Sequence, residues 1–143
     1  MSFGLATRAA AGLAGRETRT VDAAGLGFVL TLHAAFLARA PGGRRASLKF
    51  TNLSGIDLSG RCLAEADLSG ALLRGANLVH ADLRETNLFG ADPIRADLQG
   101  ADLTGASLCE AVLLDADLRR ARLQGTDLTD CIGMAAGPGS AAA

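Results

Sequence analysis

The side chains that could do covalent or metal chemistry are few and scattered in this 143-residue chain. Cys62, Cys109 and Cys131 are odd in number and lack CxxC spacing, which points to reduced thiols and away from a disulfide framework or a zinc site. The two histidines, His33 and His80, lie 47 positions apart and form no ligand pair along the chain, so both are expected to pack or to sit in solvent. Neither GxxxxGK[ST] nor GxGxxG is present to cradle a phosphate. Arg119, Arg120 and Arg122 form a small basic cluster, read first as solvated surface and only second as an anion site. Aspartates are common, but no nucleophile stands beside a base, so they are not read as general acids or bases. The expectation is a chain with no catalytic residue, no metal ligand and no cofactor: not an enzyme.

What the aspartates do show is a spacing. Residues 46–130 divide into 17 pentapeptides, and the third position is Leu in 16 of them, the exception being Pro93. Two positions earlier, 12 of the 17 are Ala; immediately before the Leu, 11 are Asp or Asn; in the last position, eight are Gly. Ala, Leu and Gly supply 71 residues, half the chain, while aromatics are 3% with no Trp or Tyr. Collagen is excluded because Gly is far below one third and there are only 3 Pro.

A period of five suits neither regular element. On an α-helix, five residues advance by roughly 500°, which smears the leucines around the cylinder. In a flat strand, an odd period sends successive leucines to opposite faces. A chain that turns a corner every five residues buries every Leu and Ala, with Gly, Ser and Asp suited to the corners. Stacked coils then bury a continuous interior. The expectation is a β-solenoid.

The run ADLSGALLRGANLVHADLRETNLFGADPIRADLQGADLTGASL resembles the pentapeptide-repeat proteins, whose consensus is A(D/N)LXX. The resemblance covers 85 of the 143 residues. It implies an all-β fold, a right-handed quadrilateral β-helix with four pentapeptides per coil, hence about four coils here. The segment LTLHAAFLARAPGGRRASL is similar to the helical lead-in of such repeats, with Phe36 where an aromatic is usual, and implies an N-terminal α-helical cap. The resemblance also implies a bacterial protein.

Four segments follow. Residues 1–21 are expected to be loosely ordered. Residues 22–45 are expected to form the helical cap and its turn, starting at Asp22 and stopping at Ala40-Pro41-Gly42-Gly43. Leu26, Leu30, His33 and Leu37 then share a face, with Val29 and Phe36 beside it. Residues 46–130 are the repeat, and 131–143, ending AAGPGSAAA, read as a flexible tail or a cloning scar. The apolar run 23–38 followed by Ala38-Arg39-Ala40 also resembles a signal peptide, but it is interrupted by Gly25 and Gly27 and is short for a membrane span. The cytoplasm is the expected location, with secreted or membrane-associated roles depending on residues 1–40.

Residues 20 apart should stack, so the rod's surface can be read in columns. Leu48, Leu68, Leu88, Leu108 and Leu128 form one interior ladder, and Pro93 breaks the next by lacking an N–H. Outside, Leu72 and Val112 replace the polar residue before the Leu, Ile94 and Leu114 follow it on the same face, and Phe89 stands near the shared corner. These five are expected to form an exposed apolar patch, either a contact surface or a site covered by the N-terminal segment or the tail near Ile132 and Met134. The repeat carries a net charge of −5 and the rest of the chain +4, too little for a basic nucleic-acid binder. The leading functional reading is a non-catalytic protein-interaction or scaffold module. The alternative, implied by the family, is a DNA-mimicking protein that binds and protects a topoisomerase such as gyrase, acting as a dimer. Partners are expected to be proteins, with a homodimer open, no direct nucleic-acid binding and no membrane.

Overall fold

The computed structural model describes residues 18–133, and the expectations for residues 1–17 and 134–143 lie outside that range. Its elements are a two-residue strand β1 (Arg19–Thr20), a helix α1 (Ala23–Leu37) and a two-residue strand β2 (Thr51–Asn52). Everything after β2 is a ladder of single parallel bridges, each joining a residue to the one 20 positions on: 47 to 67, 52 to 72, 57 to 77, and so to 112 with 132. Two hydrogen bonds make each rung. The Leu48 N–H donates to the Asp67 carbonyl at 2.7 Å, and the Asp67 N–H donates to the Ala46 carbonyl at 3.0 Å.

Between rungs the chain turns, and the turn explains the composition. From Thr51 on, the N–H that opens each pentapeptide donates to the carbonyl of the preceding inward residue, as Ala66 does to Leu63 at 2.9 Å. The residue closing each pentapeptide has positive φ at all 17 corners, from Phe50 (53°) to Asp130 (56°). That is the third position of a type II-like turn, where Gly is preferred because it has no Cβ. Eight corners have Gly; the other nine, including Glu65, His80, Glu85 and Arg95, hold an L-residue in a conformation that costs about 1–2 kcal/mol. The Asp or Asn before the Leu works on the same turn. All 11 accept a hydrogen bond from the backbone N–H two residues on, from Asn52 with Ser54 (3.1 Å) to Asp127 with Thr129 (3.0 Å).

The interior is the Leu and Ala of the repeat. Leu48, Leu68, Leu88 and Leu108 are buried, while Leu128, at the last described rungs, is partly buried. Ala keeps the opposing walls close, and where Thr replaces it the hydroxyl is satisfied: buried Thr86 donates to the Leu63 carbonyl at 3.0 Å. Pro93 is buried in its ladder and has no N–H to give to residue 112, so the step from 92 to 112 is the one place in the column without a bridge. The next rung recovers, with Arg95 N–H donating to the Leu114 carbonyl at 2.9 Å.

Ahead of the rod, the Asp22 carboxylate caps α1 by accepting from Gly25 N–H at 2.7 Å. Leu26 and Leu30 are buried in the same apolar cluster as Leu48 and Leu53, His33 is buried as well, and Leu37 is half-buried. Three residues of the segment expected to be loosely ordered are held here. Arg19–Thr20 pairs in parallel with Thr51–Asn52, and Val21 packs against the cluster.

Candidate interaction surface

His33 is wholly buried and bonded through both ring nitrogens. Nδ1 accepts from the Ala46 N–H at 2.9 Å, and Nε2 lies 2.8 Å from the Ala64 carbonyl. A backbone N–H can only donate and a carbonyl can only accept, so the ring is neutral with its proton on Nε2. The ring therefore fastens α1 to two different positions of the repeat, and it is a packing residue, as the sequence suggests. His80, by contrast, is an exposed corner residue whose ring lies over Gly100 of the next coil.

Corners are matched in pairs along the rod. A Cβ on Gly70 would collide with the Phe50 ring, one on Gly100 with His80, and one on Gly105 with the Glu85 carboxylate. Gly60 and Gly75 have open space instead. Three large corner residues, Phe50, His80 and Glu85, thus lean over a glycine one coil further on.

The apolar residues outside the rod do not form the expected continuous patch. Phe89 (48% exposed) and Leu114 (43% exposed) are open to solvent, and Leu72 and Ile94 are half-buried. Val112 is only 3% exposed, which corrects the expectation that it belongs to an exposed patch. Asp92 lies between Leu72 and Val112 in the column, and it too is buried, at 4% exposure. Its carboxylate receives the Arg74 Nε–H at 2.7 Å, and Arg74 lies across the column as a lid. The patch is therefore split by a shielded ion pair, with Phe89 and Leu114 left as its exposed parts. Leu114 in turn rests on the backbone of Gly133.

Other charges on the rod are mostly spent locally. Arg84 binds Asp82 through two nitrogens (2.8 and 2.7 Å), and Arg119 holds Asp117 in the same way. These bonds pull both carboxyls below the usual range for Asp. Asp67 is also lowered: burial opposes this, but the Ser69 hydrogen bonds and Lys49 outweigh it. Arg120 and Arg122 are exposed. All three cysteines are free; the Cys62 thiol donates to Asp82, and burial pushes the Cys131 thiol up. Two half-open grooves of ≈ 410 and ≈ 390 Å³ share Leu37 and Glu65, where the end of α1 meets the rod.

Sequence reasoning missed Phe28, which is 65% exposed on α1, and the Arg74–Asp92 lid. The first had a signal, an aromatic off the apolar stripe of an uncharged helix. The second had only the 18-residue spacing of opposite charges, one coil less two residues.

The family model for pentapeptide repeats matches residues 51–88 and 95–132 in eight copies, which is more than half of the chain. The stretch it skips, 89–94, contains Phe89, Pro93 and Ile94. Among solved structures, a pentapeptide-repeat protein from Nostoc PCC 7120 is 34% identical, with 81% of this chain and 84% of that one aligned and a TM-score of 0.40. A pentapeptide-repeat protein of the Arabidopsis thaliana thylakoid lumen is 35% identical over 56% of this chain and 59% of that one, TM-score 0.45. QnrB1, a plasmid-mediated fluoroquinolone resistance protein, is 20% identical over 60% and 54%, TM-score 0.38. The chain thus spans less than two thirds of the Arabidopsis and QnrB1 chains. No curated protein matches. The chain belongs to the pentapeptide-repeat family, and its rod is that family's right-handed quadrilateral β-helix.

Proposed function

We propose that this protein is a non-catalytic interaction module: a rigid rod of about four coils, residues 46–130, capped at its N-terminal end by residues 22–45. One observation carries the reading. The inward positions and turn aspartates are consumed by folding, whereas Phe89 and Leu114 contribute only their backbones to the turns and leave their side chains exposed. They fall where the repeat pattern breaks, beside Ile94 and Pro93, and form the contact surface for a protein partner, with Leu72 at its margin. Val112 lies beneath this surface and supports it. The cysteines and the Arg119–Arg122 cluster take no part.

The test is capture of partners from the native cell with the intact protein and with Phe89→Ser/Leu114→Ser. The variant should keep its melting temperature and lose the partner. Retained capture would remove this surface from the reading. The DNA-mimic alternative needs free acidic charge, and five rod aspartates are already in ion pairs: Asp67, Asp82, Asp92, Asp115 and Asp117. A gyrase supercoiling assay with a quinolone should accordingly show neither inhibition nor protection, and either effect would promote the alternative.

A further inference from the structure

The other end of the molecule has a different surface chemistry. From Ala23 to Leu37 the helix carries no charged side chain, and only Leu26, Leu30 and His33 are buried. An uncharged helix with an open face is unusual in water, because such helices are normally enclosed. Its outer side shows Ala24, Phe28, Thr31, Ala34 and Ala38. Phe28, at 65%, is the most exposed large hydrophobic residue among the described residues. Thr31 gives its hydroxyl proton to the Gly27 carbonyl at 2.9 Å, so no side-chain donor on this face is left to water.

Charge brackets this face. Arg19 precedes the helix, Arg39 and Arg44 follow it, and all three are exposed with no carboxylate partner among the described residues. Arg44 is held against the helix flank because its N–H donates to the Leu32 carbonyl at 2.9 Å. Of the acids near them, Asp22 is occupied at the helix N-cap, and Glu65 of the rod lines a groove with Arg39 but forms no ion pair with it. The charge division follows the same line, with +4 outside the repeat and −5 within it.

We propose that this end docks on an anionic lipid surface, with Phe28 entering the headgroup layer and Arg19, Arg39 and Arg44 facing lipid phosphates. An aromatic on an apolar helix face rimmed by arginines is the chemistry of a surface-bound helix. A second copy meeting through the same end would set like charges against one another. No helix among the described residues is long and apolar enough to cross a membrane, so the helix lies on the surface. The sequence expectation against a membrane weighed spanning length, which this mode does not need. The rod's negative charge turns it away from the lipid and leaves Phe89 and Leu114 free.

Co-sedimentation of the full chain with vesicles tests this. The probes are phosphatidylcholine alone and phosphatidylcholine mixed with phosphatidylglycerol. Binding should require phosphatidylglycerol and weaken with salt, as exposed charge contacts do. Arg39→Gln and Arg44→Gln should each lower partitioning about five-fold. Phe28→Ser should lower it about ten-fold while leaving the melting temperature unchanged, because the ring is mostly in water. Three results would overturn the proposal: no binding to the anionic vesicles, equal binding by all variants, or light scattering that shows self-association lost in Phe28→Ser while vesicles are ignored.

Discussion

The junction between α1 and the rod is built from contacts made once, whereas the rod is built from contacts made again at every fifth residue. His33 joins Ala46 and Ala64 with no second residue doing the same. The bond from an Asp or Asn side chain to the backbone N–H two residues on, by contrast, appears 11 times, and the positive-φ corner 17 times. In a solenoid each coil contacts mainly its neighbours, so stability is close to a sum of like terms. Losing one term weakens the rod in proportion, and losing a unique contact at the junction releases an element.

Acid attacks several of the repeated turns at once and should have the largest effect. Asp57, Asp82, Asp117 and Asp127 are lowered below the ordinary value of 3.8 by hydrogen bonds from Ser59, Arg84, Arg119 and Thr129. Their folded-state values lie below the unfolded ones, so they stabilise the fold above pH ~4 and lose this as pH falls through the lowered values. The melting temperature should therefore hold from neutral pH down to about 5 and drop steeply below 4. A flat profile down to pH 3 would mean that the turn bonds contribute little as charged groups.

Single substitutions then rank the two regions. Leu83 is fully buried in the middle of the rod, and Leu83→Ala should cost about 3 kcal/mol by opening a cavity between two coils. His33→Phe keeps a ring at the junction but leaves the Ala46 N–H and Ala64 carbonyl without partners, for about 2–3 kcal/mol. The two should differ in kind more than in size. Hydrogen exchange should show the leucine variant loosening coils on both sides. The histidine variant should lose protection in Ala23–Leu37 while the rod keeps its own. Uniform loosening in both variants would mean that helix and rod fold as one unit.

This contrast also explains what could be read from the sequence. A fivefold period announces the inward Leu, the turn aspartates and the corner glycines, because each is written many times. That every corner has positive φ follows from the glycines, yet nine corners carry larger residues, and only the stacked neighbour explains how some sit. Phe50, His80 and Glu85 each lean over a glycine 20 positions on, a correlation visible once the coil length is known. The buried Val112 was hidden because its column partner Asp92 looks like any other turn aspartate until Arg74 covers it. His33 gave no signal of its bonds: they join positions 13 and 31 residues away, at a site where nothing repeats. The pairing of Arg19–Thr20 with β2 was equally silent, since two residues carry no pattern.

The matched corners sharpen the comparison within the rod. Gly70→Ala places a methyl against the Phe50 ring as well as in a left-handed backbone, whereas Gly60→Ala meets open space and carries only the backbone cost. The first should destabilise by about 2 kcal/mol and the second by about 1 kcal/mol. Combining Gly70→Ala with Phe50→Gly should recover the difference, since the ring that clashes is gone and its own corner gains the preferred residue. A double variant no better than Gly70→Ala would show that the ring stabilises the first corner by packing.

Pro93 gives the smallest effect and the opposite sign. It occupies an inward position that is Leu at 53, 73 and 113, and it withholds the rung that would reach residue 112. Pro93→Leu supplies an N–H for that carbonyl and a side chain of the size used above and below it. One backbone hydrogen bond contributes about 1 kcal/mol. The freer unfolded chain gives back a few tenths or more, because proline restricts it. A net gain of about 0.5 kcal/mol in denaturant unfolding is therefore expected, with protection of the residue-93 amide as the direct sign that the rung has formed. Gain without protection would place the benefit in packing alone. Loss of stability would show that the chain around Phe89 and Ile94 is shaped by the proline, tying this break in the ladder to the exposed surface beside it.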